Sequence, residues 1–306
     1  MRIVVAGGTG FLGRRLVGRL AADGHDVTVL TRSSRSAVQL LPHDVHTASW
    51  DGRSVGGWSQ AVDGADAVVN LAGESIAGRR WSPEVKSRLL LSRLEATAAL
   101  VRAIAGSSRR PYALVNASAV GFYGHVPDGD VTESRSAGTD FLADLCRRWE
   151  AEARKSQEQG TRVVILRIGI VLAADGGALQ RMVLPFRFFV GGPLGSGRQW
   201  VPWVHVEDVI SAVRFALLTP SLAGPYNVAA PEPVTMSDFC RAIAAAMRRP
   251  SWLRVPEFAL RLTLGEMSVV VLGGQRAVPA RLTEAGFQFA HARLDDALAA
   301  VLLPRP

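Results

Sequence analysis

The segment Gly7-Gly8-Thr9-Gly10-Phe11-Leu12-Gly13 follows directly on an apolar run, Ile3-Val4-Val5-Ala6, and leads into Leu12, Leu16, Val17 and Leu20 at helical spacing. A strand, a glycine-rich turn and an amphipathic helix in that order fit few folds other than a dinucleotide-binding βαβ unit. The stretch holds Gly-x-x-Gly-x-x-Gly at 7, 10 and 13 and Gly-x-Gly-x-x-Gly at 8, 10 and 13. Such glycines make a tight turn, let backbone approach a pyrophosphate, and let helix pack closely on strand. The helix N-terminus then offers free N–H groups and a positive dipole end to the phosphates. Gly7, Thr9, Gly10, Phe11, Leu12 and Gly13 are therefore the expected phosphate-side residues; a purely structural turn is the alternative.

Beyond the loop, β-branched runs recur at Ile3–Ala6, Val27–Leu30, Ala67–Leu71, Ala113–Ala117 and Val163–Ile168, each separated by enough chain for a crossover helix. The expected fold class is α/β, a Rossmann-type doubly wound parallel sheet with a smaller C-terminal substrate lobe. Ser82-Pro83-Glu84 opens one helix, Asp140 caps another running to about Gln159, and Thr235 with Asp238 opens a third. From about Gly169 the rhythm breaks into Gly- and Pro-rich loops, including Gly191-Gly192-Pro193-Leu194-Gly195-Ser196-Gly197, where mobility over a ligand is expected. The expected division is a nucleotide-binding domain over 1–170, its sheet completed by part of 200–230, and a substrate lobe over 171–306. A small C-terminal domain begins at about 250.

The second strand ends in Thr31-Arg32-Ser33-Ser34-Arg35. NAD sites place a carboxylate here for the ribose 2′-hydroxyl. Two guanidiniums and no carboxylate suit a 2′-phosphate, so NADP(H) is the expected cofactor and Thr31, Arg32, Ser33 and Arg35 its adenosine-side residues. Solvated loop arginines are the alternative. The run Asp66–Gly73 ends in small residues, so Leu71, Ala72 and Gly73 are expected to lie under the cofactor, while Trp50-Asp51 either covers the adenine or forms a surface loop.

A net charge of +8 raises the question of nucleic acid. The cations are nearly all Arg, with Lys only at Lys86 and Lys155, and are scattered among acids without a recognition motif. No nucleic-acid partner is expected; a positive pocket for an anionic small molecule needs fewer assumptions. No apolar run approaches the roughly 20 residues of a membrane span, so no membrane partner and a cytoplasmic location are expected. Cys146 and Cys240 lack neighbours at metal-ligand spacing, which argues against a disulfide framework or a metal.

Several further motifs carry a resemblance. Asn70-Leu71-Ala72-Gly73, Ser118-Ala119 before Tyr123-Gly124, and Trp203-Val204-His205-Val206-Glu207-Asp208 resemble the extended short-chain dehydrogenase/reductases, the group of nucleotide-sugar epimerases and dehydratases. Arg80-Trp81-Ser82, Ser92-Arg93, Ala117–Gly121, Leu166–Leu172, Gly191–Gly197 and Gly273-Gly274-Gln275-Arg276 are similar to its atypical branch, the nucleoside-diphosphate sugar epimerase family with a C-terminal domain of unknown function. The likeness spans essentially the whole chain.

The departure matters as much. Ordinary members use Tyr-x-x-x-Lys, the Lys lowering the Tyr pKa and anchoring the nicotinamide ribose. Where that pair belongs, this chain reads Leu142-Ala143-Asp144-Leu145-Cys146. Three residues are candidate replacements. Ser118 either contacts substrate or closes the strand end; Tyr123 either supplies a proton or packs in its loop; Glu74 is either a general base or a surface carboxylate. The resemblance also places Arg198, Trp200 and Trp203 at the substrate cleft, Arg198 as an anchor for phosphate or carboxylate. His205 reads as structural. Helices starting near Pro83 and Asp140 would form a homodimer. Two classes of function follow: an NADP(H)-dependent oxidoreductase or epimerase-like enzyme acting on a nucleotide sugar or other small polar substrate, or a non-catalytic NADP(H)-binding sensor or scaffold.

Overall fold

The computed structural model describes residues 1–302. In chain order, the first half comprises β1 (Arg2–Ala6), α1 (Phe11–Ala22), β2 (Asp26–Thr31), α2 (Ser34–Val38), β3 (His46–Ser49), α3 (Ser59–Val62), β4 (Ala67–Asn70), α4 (Pro83–Gly106), β5 (Ala113–Ala119), β6 (Asp130–Val131) and α5 (Phe141–Arg154). The second half comprises β7 (Arg162–Ile168), β8 (Ile170–Ala173), β9 (Gly176–Gly177), α6 (Leu179–Arg187), β10 (Trp200–Val201), β11 (Trp203–His205), α7 (Val206–Leu218), β12 (Gly224–Val228), β13 (Val234–Thr235) and α8 (Met236–Met247). The chain closes with α9 (Glu257–Leu264), α10 (Val269–Leu272), β14 (Arg276–Ala277), α11 (Ala280–Glu284) and α12 (Leu294–Leu302).

Seven strands form one sheet in the order β12-β7-β5-β4-β1-β2-β3, all parallel. The direction of winding reverses between β1 and β4, which opens a crevice at the carboxyl ends of these strands. Alternation along each strand feeds two cores. Ile3, Val5, Val29, Val69 and Val115 pack with Leu16, Val17 and Leu20 of α1 and Val209, Val213 and Leu217 of α7. Val4, Val68, Leu114, Val163 and Ile165 face the other way, against Ala96, Ala99, Leu100, Ala103 and Ile104 of α4. Each fully buried Leu, Ile or Val contributes about 1.5–3 kcal/mol, so this periodicity fixes the register. The helix starts read from sequence are capped: Ser82 Oγ accepts from Val85 N at 3.3 Å, Asp140 Oδ1 from Ala143 N at 2.8 Å and Thr235 Oγ1 from Asp238 N at 3.2 Å.

A third core builds the C-terminal lobe from Val183 and Phe186 of α6, Phe239 and Ile243 of α8, and Leu298 and Val301 of α12, under Val201 and Trp203. The Gly191–Gly197 stretch, where mobility over a ligand is expected, is held by backbone hydrogen bonds in this structure. It is tied to residues 252–255, with Trp252 N donating to Gly191 O at 3.1 Å, Val255 N to Pro193 O at 3.0 Å and Gly195 N to Val255 O at 2.9 Å. A side chain at Gly192 would collide with the Leu253 backbone, so close packing is what the glycine serves there.

Candidate functional site

The loop between β1 and α1 is shaped by contacts that leave no room for a Cβ. Gly7 has φ of +78°, and a Cβ on it would lie 2.7 Å from the carbonyl carbon of Leu71 at the end of β4. Gly13 faces Gly7 across the loop, where a methyl would collide with the Gly7 carbonyl oxygen. The β4 end is held from below: Asn70 Nδ2 donates to Thr97 Oγ1 at 2.9 Å and to Asn116 Oδ1 at 2.7 Å, and Asn70 Oδ1 accepts from Ala72 N at 3.1 Å. Leu71 and Ala72 are therefore set half-exposed beside the glycine turn, with Gly73 exposed after them. Helix α1 begins at Gly10 with no side-chain cap and no acid in its first turn. Its first N–H groups are available to an anion, which suits a pyrophosphate.

Thr9, Phe11 and Leu12 are partly buried around this cradle. Phe11 lies against Gly176 and Gly177 of the β8–β9 hairpin, and Arg15 stacks on its ring with Cζ 4.8 Å from the centroid while pairing with Asp175. At the end of β2, Thr31 is buried and Ser33 N donates to its Oγ1 at 3.3 Å. Arg32 and Arg35 are exposed, and among the described residues neither has a carboxylate within 4 Å. Trp50 is buried against Trp58, with ring centroids 5.5 Å apart. Asp51 spends its carboxylate on its own loop, accepting from Arg53 N, Ser54 N and Ser54 Oγ, bonds that lower its pKa to about 2.

Two of the three candidate catalytic residues are buried behind the crevice. Ser118 is buried and its Oγ donates to Glu150 Oε1 at 2.8 Å. Strand alternation sends Ser118 to α5, and the neighbour that faces the crevice is Ala119. Tyr123 is 2% exposed; its hydroxyl donates to Asn227 Oδ1 at 2.6 Å and accepts from Arg167 Nη1 at 2.9 Å. Burial pushes its pKa up to about 12 despite the nearby guanidinium. A phenol so placed is a core hydrogen-bonding group and cannot reach the crevice. Glu74, the third, is exposed, and its carboxylate lies 3.4 Å from Arg88. It lines neither cavity described next.

At the carboxyl ends of β5 and β7 lies a cavity of about 190 Å³, walled by Ala119, Val120, Leu142, Cys146, Ile168 and Ile170. Leu142 and Cys146 are the two positions expected to replace Tyr and Lys, and both line it. Cys146 is 1% exposed and burial pushes its pKa up to about 11, so it is a thiol and a small hydrophobe. The ionisable groups that line the cavity besides this thiol are His125 and Asp140.

Arg93, which enters only as part of the Ser92-Arg93 motif of the resemblance, was given no role from sequence. It is buried on α4, donates from Nη2 to Glu74 O and from Nη1 to Leu89 O, both at 2.9 Å, and lies 5.2 Å from the Trp149 ring centroid. Its Nε has no partner, and no carboxylate lies within 4 Å among the described residues. A Cβ on Gly73 would lie 3.0 Å from its Cζ, so this cation backs the turn after β4. The signal in sequence was an Arg at a core position of an otherwise Ala- and Leu-rich helix face.

A larger cavity of about 1010 Å³ adjoins, sharing His125, Asp140, Trp200, Val269 and Gly273 with the first. Arg198 lines it, and Trp200 lines both, its Nε1 donating to Pro127 O at 3.1 Å. Trp203 corrects the expectation of substrate contact: at 1% exposure it belongs to the core of the C-terminal lobe, its Nε1 3.3 Å from Glu232 O. His205 caps α7 by accepting from Glu207 N at 3.2 Å, and its ring lies 3.7 Å from that of His291. Among the described residues no cluster of His, Cys, Asp or Glu could hold a metal.

This architecture has relatives. The NAD dependent epimerase/dehydratase family matches residues 3–229, and a domain of unknown function, DUF1731, matches residues 255–301. The chain belongs to the NAD dependent epimerase/dehydratase family. Within it, the chain is 45% identical over 99% of its length to the chloroplastic epimerase family protein SDR39U1 homolog of Arabidopsis thaliana, covering 87% of that protein. It is 40% identical to epimerase family protein YfhF of Bacillus subtilis, covering 100% of this chain and 99% of YfhF. Human epimerase family protein SDR39U1 (isoform 2), solved with NADPH, superimposes with a TM-score of 0.88 at 34% identity, over 98% of this chain and 99% of that one. These matches agree with the resemblance to the extended short-chain dehydrogenase/reductases, including the C-terminal domain of unknown function. Among the described residues no helix is long and apolar enough to cross a membrane.

Proposed function

We propose that this epimerase-family protein is an NADP(H)-dependent oxidoreductase or epimerase-like enzyme acting on a nucleotide sugar or another small polar substrate. The observation that carries the cofactor reading is the β2 end, where exposed Arg32 and Arg35 stand without carboxylate partners. A 2′-phosphate fits two free guanidiniums, and an adenosine 2′-hydroxyl would find no acceptor carboxylate there. The solved human relative with NADPH supports the same reading. When bound, the nicotinamide supplies the hydride chemistry.

The chain's residues bind, orient and exclude water. The Gly7–Gly13 loop and the α1 N-terminus hold phosphate, Leu71, Ala72 and Gly73 form the floor, and the apolar wall of Ala119, Leu142 and Cys146 keeps the reacting end dry. Arg198 and Trp200 are the groups to receive a polar substrate entering through the larger cavity. With Tyr123 locked in the core, His125 and Asp140 are the groups left at the cavity to move a proton. The apolar wall also favours a second reading, a non-catalytic NADP(H) sensor.

A turnover screen separates the two. The protein, loaded in parallel with NADPH and with NADP+, is mixed with nucleoside-diphosphate sugars and small carbonyl compounds, following reduced-nicotinamide absorbance and the sugar proton spectrum. An enzyme oxidises its cofactor or epimerises a substrate, at a rate that falls in His125→Ala or Asp140→Asn. Failure of every substrate with both cofactor forms demonstrably bound would favour the sensor.

A further inference from the structure

At the end of α6 and in the segment after α8, six apolar side chains stand in solvent: Leu184 at 50% exposure, Phe188 at 70%, Phe189 at 50%, Val190 at 42%, Trp252 at 65% and Leu253 at 40%. They form one patch. Trp252 Nε1 donates to Phe189 O at 2.9 Å, Trp252 N to Gly191 O at 3.1 Å, and Phe188 follows Leu184 by one helical turn. Exposed aromatics this prominent and contiguous mark an interaction site.

The rim is cationic and unpaired. Arg187, Arg248, Arg249 and Arg254 are exposed, and among the described residues none has a carboxylate within 4 Å. Arg249 stacks on Phe189 with Cζ 4.1 Å from the ring centroid. No Asp or Glu occurs between Asp175 and Glu207, or between Asp238 and Glu257, so both segments of the patch lack acids. Two helices end at the same place. Phe189 at φ +62° and Arg248 at φ +52° are the two non-glycine residues with positive φ among the described residues. Both close helices in the left-handed cap conformation, Phe189 after α6 with Val190 N donating to Pro185 O, and Arg248 after α8 with Arg249 N donating to Ala244 O.

We propose that this patch docks the protein on an anionic phospholipid bilayer, with Phe188, Phe189 and Trp252 entering the headgroup boundary and the four arginines meeting the lipid phosphates. Phe and Trp beside unpaired arginines are the composition of an interfacial anchor. The Trp252 indole N–H is already satisfied by Phe189 O, so its ring enters a low-dielectric layer without stranding a donor. Prominent aromatics at 65% and 70% exposure fit a soft interface better than a rigid complementary protein face. Attachment would be peripheral and electrostatic, with no spanning helix. It is independent of the cofactor reading and differs from the absence of a membrane partner expected from sequence.

The test is co-sedimentation of the full chain with vesicles of phosphatidylcholine alone and of equal parts phosphatidylcholine and phosphatidylglycerol. The proposal expects sedimentation with the anionic vesicles only, reversed by high salt. Arg248→Gln/Arg249→Gln should lower the partition coefficient by roughly fivefold per arginine, and Phe188→Ser/Trp252→Ser should abolish binding. Far-UV circular dichroism and thermal melts of each variant serve as the folding control. Absence of anionic-vesicle binding overturns the proposal, as does equal binding to both vesicle types or binding unchanged in correctly folded variants. Capture of polyglutamate without vesicle binding overturns it in favour of an acidic protein partner.

Discussion

Arg167 and Glu150 form a bidentate ion pair, Nε to Oε1 at 2.8 Å and Nη2 to Oε2 at 2.9 Å, with side chains 3% and 2% exposed. This pair lies behind the β5 end and recruits the hydroxyls that the sequence offered as catalytic candidates, Ser118 through Glu150 and Tyr123 through Arg167. Removing one partner leaves a buried charge alone, which costs about 3–5 kcal/mol. Glu150→Gln should therefore lower the urea midpoint substantially, and a change within error would show that the pair is not a structural pivot.

The same network sets a pH dependence. Tyr123 has its pKa raised from 10.0 to about 12. The folded state thus holds this proton more tightly than the unfolded state. The stabilisation is fully present below pH 10 and is lost as pH rises through 12, amounting to roughly 3 kcal/mol for a two-unit shift. Urea titrations across that range should show a steeper decline for the native sequence than for Tyr123→Phe; equal slopes would contradict the assignment.

The cysteines offer a simpler check. Cys146 and Cys240 are buried with pKa values pushed up to about 11 by burial, so the thiolate is on the order of one part in ten thousand at pH 7. Neither should react with iodoacetamide in the native protein, and both should react on unfolding. Rapid native alkylation of Cys146 would return it to the list of candidate nucleophiles.

Two glycines of α1 make opposite predictions. At Gly13 a methyl group collides with the Gly7 carbonyl, whereas at Gly18 nothing lies within 4 Å. Gly13→Ala should cost about 1–3 kcal/mol or more through overpacking and abolish nucleotide binding. Gly18→Ala should stabilise the helix by about 1 kcal/mol. Thermal melts of the two variants check both, and similar melts would mean the loop is not close-packed.

The central sheet was legible because burial on both faces forces apolar runs, as in Ile3–Ala6 and Val163–Ile168. The edge strands were harder to see: His46–Ser49 is polar, and Gly224–Val228 begins with Gly-Pro. The glycine loop and the absence of Tyr and Lys at 142 and 146 were readable as local motifs. Ser118 and Trp203 were misplaced for one reason. Which face of a strand meets the crevice depends on register against distant elements, and the partners that claim these residues, Glu150 and Glu232, are 32 and 29 positions away. Arg93 belongs to the motifs of the resemblance but its burial was not foreseen, because an arginine without a nearby carboxylate is read from sequence as surface charge.

The most direct test of the account is a side-by-side fluorescence titration of the protein with NADPH and NADH, repeated with Arg32→Ala and Arg35→Ala. The account predicts tight NADPH binding that weakens by roughly tenfold in each variant, with NADH binding weak throughout and unchanged. NADPH affinity unaffected by either substitution, or binding of neither nucleotide, would contradict it.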